Sequence, residues 1–333
     1  MKFLVIGLGS MGKRRVRNLK ALGIEYVAGF DPRSDRRQES QEKYGIPVFD
    51  DLDEAMNRFS PQVFIISTPP DLHMHYAYYA YECGISCFIE ASVVDADKIK
   101  QLSEKIGETT IIMAPSCTMR YYPGPKKVKE LIKDNAIGKV LNVNYQTGQY
   151  LPDWHPWEKI EEFYVSRRET GGAREIVPFE LTWLNDIFGE AEALGCFKVK
   201  LTDMPADIDD IYHCLLRYEG NVLVNLTVEV ISRPKATREL RVLGSEGEIV
   251  FSADTNRVSY INTSMEKWEE YQLDTGTVES QYINPEEPYI AEMKDFIAAV
   301  RAKDQTLYPN SLEDDYKVLR TLYALEKMTG GCA

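Results

Sequence analysis

Cysteine is scarce, with six in 333 residues, too few for a disulfide scaffold. The close pair Cys83 and Cys87 has His73 and His75 a few turns upstream but no second cysteine pair, so no metal site is expected. Reduced, buried thiols of a cytoplasmic protein are expected instead. No apolar run reaches the ~18 residues that a spanning helix needs, which argues against a membrane protein. Basic charge is also short: 39 Lys and Arg stand against 52 Asp and Glu, a net charge of −13. Such a surface repels polyanions, so no nucleic-acid partner is expected. Internal repeats and low-complexity tracts are absent. The opening MKFLVIGLGS has one lysine and no small-residue cleavage site, and reads as a first strand rather than a secretory signal.

What is present is ordinary for a globular chain, 44% hydrophobic and 27% charged residues. At about 150 residues per domain the length predicts two domains. In the first 120 residues, short apolar runs at Lys2–Ile6, Glu25–Phe30, Val48–Phe49, Val63–Ser67, Ser86–Ile89 and Thr110–Met113 read as strands. Helical patterns at Gly12–Leu22, Ser34–Tyr44, Asp51–Phe59, Leu72–Cys83 and Asp95–Gly107 separate them. This alternation predicts a parallel sheet covered on both faces. Beyond it, helices are expected at Pro125–Asn135 and from Gly171-Gly172 through Phe188. Strands are expected at Val140–Gln149, Ala193–Lys200, Ile211–Tyr218, Asn221–Ile231, Glu239–Leu243, Glu248–Ser252 and Val258–Asn262, and closing helices at Pro288–Ala302 and Ser311–Thr329. The fold class is α/β: a Rossmann domain over residues 1–120, then an α+β domain over 121–333 with a large open, mainly antiparallel sheet. The final helices are free to pack back on the first domain. Apolar residues on both alternations of Val222-Leu223-Val224-Asn225-Leu226 predict an uncovered apolar face, hence a homodimer or homotetramer.

The strongest chemical signal is Gly7-Leu8-Gly9-Ser10-Met11-Gly12, which follows an apolar strand and opens a helix. Gly7 allows the tight turn, Gly9 lets backbone approach a pyrophosphate, and Gly12 lets the helix pack on the strand. The phosphates then meet free N–H groups at the helix start, including those of Ser10 and Met11. Asp31 ends the second strand, where a carboxylate accepts hydrogen bonds from a ribose diol. That favours NAD, while Arg33, Ser34, Arg36 and Arg37 leave NADP open. Lys13, Arg14, Arg15 and Arg17 crowd the early helix, and read as a face near a bound phosphate or in water. Ser67-Thr68-Pro69-Pro70-Asp71-Leu72-His73 falls at the carboxyl end of a major strand, where Ser67, Thr68 and Pro69 line the cofactor crevice. His73 reads as a helix-start residue beside it.

GLGSMG at 7–12, Asp31, STPPDLH at 67–73, Glu90 after an apolar strand and Arg120-Tyr121-Tyr122-Pro123 together resemble the Gfo/Idh/MocA oxidoreductases. GKVLNVNYQTGQYLPDWHPWE and NSLEDDYKVLRTLYAL are similar to the same family, so the resemblance spans nearly the whole chain. It implies a Rossmann domain, a second α/β domain whose open sheet often makes an oligomer face, and NAD(P)-dependent chemistry on sugars, inositols or nucleotide sugars. GQYLPDWHPW resembles members of surface-polysaccharide and unusual-sugar synthesis. The departures are local. The family's Glu-Lys-Pro stands here as Glu90-Ala91-Ser92, without the lysine that touches substrate and nicotinamide ribose. Aligning on the double glycine and FGE puts Ile176, Phe179 and Thr182 where the family has Asp, His and Asp.

The resemblance therefore implies a rebuilt or abandoned site. Glu90 and Ala91 are placed on the cofactor side. Glu175, Glu180, His155 and Tyr122 are the candidate acid–base groups, because hydride transfer from an alcohol needs a base in reach of the hydroxyl. Glu175 and Glu180 read equally as a helix start and a solvated helix face. Arg120, Trp154 and Arg174 are the candidate substrate contacts, with Arg174 able to grip a carboxylate or phosphate. Trp154 and Trp157 either stack on a sugar or fill the domain junction. The expected activity is an NAD(P)-dependent oxidoreductase acting on a sugar or sugar nucleotide. A silent nucleotide-binding sensor and a redox-neutral enzyme using NAD transiently stand as alternatives.

Overall fold

Strand β1 (Phe3–Ile6) and strand β4 (Val63–Ile66) are entirely buried, and each side chain in them is 0% exposed. Burying such residues stabilises by roughly 1.5–3 kcal/mol each, and this pair is the centre of the first sheet. The computed structural model describes residues 1–107, 109–154, 159–280 and 282–328. β2 (Val27–Phe30), β3 (Val48–Phe49), β5 (Ser86–Ile89) and β6 (Met113–Pro115) complete a parallel sheet in the order β3-β2-β1-β4-β5-β6. Helices α1 (Ser10–Ala21), α2 (Ser34–Tyr44), α3 (Leu52–Phe59), α4 (His73–Glu82) and α5 (Ala96–Ile106) make the crossovers. Local chemistry fixes their ends. Asp51 caps α3 by accepting the Glu54 N–H at 2.7 Å, and Gly45 closes α2 in the left-handed conformation. This strand order reverses between β1 and β4, the switch point where doubly wound sheets bind dinucleotides.

The first compact unit comprises Met1–Thr118 and Gly276–Tyr316, and the second Met119–Thr275 and Lys317–Ala333. In the second, α6 (Pro123–Lys133), β7 (Val140–Gly148) and α7 (Ala173–Phe188) precede β8 (Glu192–Val199), β9 (Ile211–Tyr218) and β10 (Val222–Glu229). There follow β11 (Thr237–Gly244), β12 (Gly247–Ser252), β13 (Arg257–Asn262) and β14 (Glu269–Gln272). The polar β14 carries no alternation and is not expected from sequence. These strands form one sheet, β14-β13-β12-β11-β7-β10-β9-β8, antiparallel except for the parallel pair β7–β10. The fold is thus a Rossmann parallel sheet plus a mixed, mainly antiparallel sheet. α8 (Glu287–Ala302) lies in the first unit, and α9 (Leu312–Lys327) enters the second from Lys317.

α7 covers one face of the large sheet at β9 and β10, and α6 packs on β12 and β13. On β9, Tyr212, Cys214, Leu216 and Tyr218 are buried while His213, Leu215 and Arg217 point away, the alternation of a half-covered sheet. The uncovered face carries Leu215 at 53% exposure and Leu223 at 46%, with Leu194 and Phe197. Among the described residues no helix is long and apolar enough to cross a membrane. Cys83 is exposed, against the expectation of burial; Cys87, Cys117, Cys196 and Cys214 are buried.

Candidate functional site

The glycine turn between β1 and α1 is sterically exact about its residues. A Cβ on Gly7, whose φ is +89°, would lie 2.7 Å from the Ser67 carbonyl oxygen, and one on Gly12 only 1.8 Å from that of Gly7. A Cβ on Gly9 meets only the Arg36 guanidinium, at 3.5 Å, so here glycine keeps backbone open to a ligand. The first turn of α1 contains no acidic residue. The backbone N–H groups of Ser10, Met11 and Gly12 precede the first intrahelical bond, Lys13 N–H to the Gly9 carbonyl. This cradle fits a pyrophosphate.

Asp31 is 2% exposed; its Oδ2 accepts the Leu8 N–H at 2.7 Å and its Oδ1 the Arg33 N–H at 2.8 Å. Arg36 Nη1 stands 3.7 Å from Oδ2. The Arg33 guanidinium turns outward to Asp35, whose carboxyl it holds down at about 2. At the end of β4, Thr68 Oγ1 is buried without a hydrogen-bond partner, a polar atom suited to a bound group. Pro69 leads into a single 3-10 turn, Pro70–Leu72. His73 does not reach out toward the crevice. It is buried, its Nε2 meets the Thr68 carbonyl at 2.9 Å, and burial depresses its pKa, so it pins the loop as a neutral ring. Ser67 Oγ donates to Glu90 at 3.4 Å, and the following Ala91 is half-buried.

Each of the four cations expected on the basic face of α1 meets a carboxylate, in solvent for Lys13 and largely buried for the three arginines. Lys13 pairs with Glu39 at 2.7 Å, Arg14 and Arg17 with Glu286 at 3.1 and 2.8 Å, and Arg15 with Glu90 at 2.6 Å. Arg14 and Arg17 also lie against the Tyr282 ring.

In the second unit, α7 begins directly at the double glycine. A Cβ on Gly172, at φ +65°, would fall 2.8 Å from Ile208 Cβ. Pro178 inside the helix has no N–H to return to the Arg174 carbonyl, so the first turn is loosened where Glu175 sits. Glu175 Oε1 accepts the Tyr164 hydroxyl at 2.7 Å, whereas Oε2 is buried without a partner. Burial raises its pKa to about 7, and the Tyr164 bond opposes the shift without cancelling it. A helix N-terminus would favour the anion, so desolvation wins here. The half-exposed face of α7 carries Glu175, Ile176 and Phe179 together.

Glu180 is a different kind of residue from the catalyst or solvated face expected of it. It is 0% exposed, and Oε2 accepts from Tyr145 at 2.6 Å, Trp183 Nε1 at 2.8 Å and Arg238 Nη1 at 2.9 Å. Arg238 Nη2 lies 2.8 Å from Oε1. Oε2 is fully engaged, and Oε1, which has no hydrogen bond, faces that guanidinium, so this carboxylate serves as the buried partner of Arg238. Tyr122 is half-buried and close enough to Arg238 to interact with its charge. Arg174 is likewise committed: its Nε pairs with Glu326 at 2.7 Å, and it also bonds the Glu169 carbonyl. Arg120 braces α7, with Nε on the Thr182 carbonyl at 3.1 Å and Nη1 3.7 Å from Asp186. Trp154 is half-buried after the 3-10 turn Leu151–Asp153. His155 and Trp157 lie outside the described residues.

Residues 1–113 match the oxidoreductase family's NAD-binding Rossmann fold, and residues 126–250 match the GFO/IDH/MocA C-terminal domain. The chain belongs to the Gfo/Idh/MocA oxidoreductase family. Its first unit is accordingly an NAD-binding Rossmann domain. Among the relatives, 2,7-anhydro-N-acetylneuraminate hydratase of Mediterraneibacter gnavus is 29% identical over 168 residues, 48% of this chain and 43% of that protein. The scyllo-inositol 2-dehydrogenase (NAD(+)) of Bacillus subtilis is 29% identical over 141 residues, 41% of each chain. The chain thus spans less than half the length of these relatives. A levoglucosan dehydrogenase solved with NADH superposes with a TM-score of 0.83 over 98% of this chain and 96% of that one, at 17% identity. That likeness establishes the shared fold.

Sequence reading missed Tyr164, Arg238 and Glu292, the partners that decide what Glu175, Glu180 and Arg15 do. Tyr164 sits 11 residues before Glu175, in an aromatic stretch without periodicity. Arg238 and Glu292 are far from their partners along the chain, and no local pattern marks them.

Proposed function

We propose that this chain is an NAD-dependent oxidoreductase acting on a hydroxyl or carbonyl carbon of a sugar or sugar nucleotide, with a rebuilt acid–base site centred on Glu175. One observation carries this reading: a carboxyl at the start of α7 with one oxygen held by Tyr164, the other unpartnered, and a pKa of about 7. Such a group exchanges a proton near neutrality, as a general base for an alcohol and a general acid for a carbonyl requires. Bound nicotinamide would supply hydride acceptance or donation. The glycine cradle holds the pyrophosphate and Asp31 the adenosine ribose. Tyr164 fixes the Glu175 rotamer, so that Oε2 is the oxygen that takes or gives the proton. Ile176 and Phe179 keep water from solvating that carboxylate and present an apolar wall to the sugar. Tyr122 and Trp154 are the further substrate contacts in this reading, whereas Arg174 and Arg120 shape the site from behind through Glu326 and Thr182. The named dehydrogenases among the relatives support the substrate class, and GQYLPDWHPW supports a place in surface-polysaccharide or unusual-sugar synthesis in the cytoplasm.

A redox-neutral reaction is the second reading, favoured by the likeness to a hydratase. Single-turnover spectroscopy of the cofactor band with candidate sugars separates the two. Net reduction or oxidation of stoichiometric cofactor supports the dehydrogenase. A transient that returns to its starting level supports redox-neutral use, and binding of sugar and NAD with no spectral change leaves only a sensor. The working unit in this proposal is a homodimer or homotetramer joined through the uncovered face of the large sheet.

A further inference from the structure

Cys196 on the edge strand β8 stands directly opposite Cys214 on β9. Both are buried, Cys196 at 9% exposure and Cys214 at 0%, so their side chains share the covered face of the large sheet. The ladder decides how close they come. The Val230 N–H donates to the Asp210 carbonyl at 2.9 Å, one step beyond the β9–β10 pair Ile211–Glu229. Backbone groups of successive residues in a strand point to opposite sides, so the even-numbered residues of β9 bond to β10 and the odd-numbered ones to β8. Cys214 thus directs its own N–H and C=O to β10 and forms a non-hydrogen-bonded pair with Cys196. Such pairs bring the Cα atoms to about 4.5 Å, inside the roughly 4.4–6.8 Å that a disulfide spans. The Cys214 thiol is hydrogen-bonded to that of Cys196, which together with burial holds Cys214 well above its ordinary pKa. The other buried cysteines among the described residues are placed differently: Cys87 meets Met113 Sδ at 3.0 Å and Cys117 the Tyr308 hydroxyl at 3.5 Å.

We propose that Cys196 and Cys214 are a modification site, a reversible cross-strand disulfide formed by exchange with a low-molecular-weight disulfide. Cys196 reacts first, because it is the more exposed of the two and lies on the strand that ends the sheet. Its thiolate attacks one sulfur of the small disulfide and releases one thiolate, leaving a mixed disulfide. The Cys214 thiolate then attacks Cys196 Sγ and releases the second. The two cysteines lose two protons and two electrons, and the small disulfide becomes two thiols. The bond closes a loop over residues 197–213. That loop sets Ile208 against Gly172 and takes the Ala173 N–H on the Asp209 carbonyl at 3.2 Å, so the staple secures the seat on which α7 begins. A closed loop narrows the unfolded ensemble, and oxidation therefore stabilises the second unit. Neither cysteine takes part in the chemistry proposed for Glu175.

The test is incubation of the reduced full-length protein with oxidised glutathione, followed by peptide mapping after free thiols are blocked with N-ethylmaleimide in denaturant. A cross-linked peptide joining Cys196 to Cys214 is expected. The thermal midpoint should rise by roughly 5 °C, and dithiothreitol should reverse the rise. Cys196→Ser and Cys214→Ser should show neither the cross-link nor the rise. A parent protein in which both thiols still take the maleimide overturns the proposal. So does one in which Cys196 carries glutathione without closing onto Cys214. If Cys214→Ser does not fold, the peptide map of the parent and Cys196→Ser decide the outcome.

Discussion

The Tyr164 hydroxyl donates to Glu175 Oε1 at 2.7 Å and leaves Oε2 buried without a partner. This pair joins an irregular segment to the first turn of α7, and burial lifts the carboxyl to about 7 against the opposing pull of the Tyr164 bond. If Glu175 is the base, alcohol oxidation should rise with pH through about 7, the value to which burial lifts this carboxyl. Glu175→Gln should lose about 10²–10⁴-fold in turnover and flatten that limb, with NAD affinity intact. Tyr164→Phe removes the bond that lowers the pKa, so its limb should move to higher pH. A parent-like profile in both variants removes Glu175 from the mechanism.

Stability should carry the same signature. Burial raises the carboxyls of Glu175 and Asp315 to about 7 each. Between the ordinary carboxyl range and pH 7 the native state therefore binds more protons than the unfolded chain. These two groups make stability fall as pH rises through that window, and level off above it. Thermal unfolding at pH 5.5 and pH 8 should show this fall, and Asp315→Asn should reduce it. An Asp315→Asn variant with the parent's pH slope speaks against a raised Asp315.

Glu180 and Arg238 should behave as a buried pair. Removing one partner strands the other charge in the core, which costs about 3–5 kcal/mol. Glu180→Gln and Arg238→Met should each lower the denaturation midpoint strongly. A Glu180→Gln variant of parental stability that has lost turnover would return Glu180 to the catalytic set.

Gly12 and Gly9 should fail in different ways when substituted. Gly12→Ala places a Cβ 1.8 Å from the Gly7 carbonyl oxygen, so the turn itself must shift and the fold loses stability. Gly9→Val meets only the Arg36 side chain, so it should fold and lose NAD, because the branched side chain fills the pyrophosphate path. Calorimetric titration with NAD on the folded Gly9→Val protein checks this, and parental affinity contradicts the cradle.

The uncovered sheet face should join subunits. Leu215 and Leu223 on the neighbouring strands β9 and β10 point out of it at 53% and 46% exposure. Sedimentation at micromolar concentration is expected to show a dimer or tetramer, and Leu215→Asp combined with Leu223→Asp should release monomers. A parent protein that sediments as a monomer ends this assignment.

Much of the fold was legible because its cues are local. The alternation of short apolar runs with helical patterns marked the β1 to β6 framework, and the glycine spacing after β1 located the cofactor cradle. Gly45 and Asp51 act on their own neighbours, so their effects can be read in one dimension. Polar β14 escaped because hydrogen bonds to β13 form it, and those require the sheet to exist first. The site chemistry was less legible for the same reason. Glu175 and Glu180 lie five residues apart on one helix and look alike in sequence. Tertiary packing gave the first a single tyrosine and an unsolvated oxygen, and the second an arginine and a tyrosine beside the indole of its own helix. The arginines of α1 looked like a phosphate-facing or solvated face until Glu90, Glu286 and Glu292 were found against them. A charged residue's role is set by what desolvates it and what pairs with it, and both are decided by contacts between distant parts of the chain.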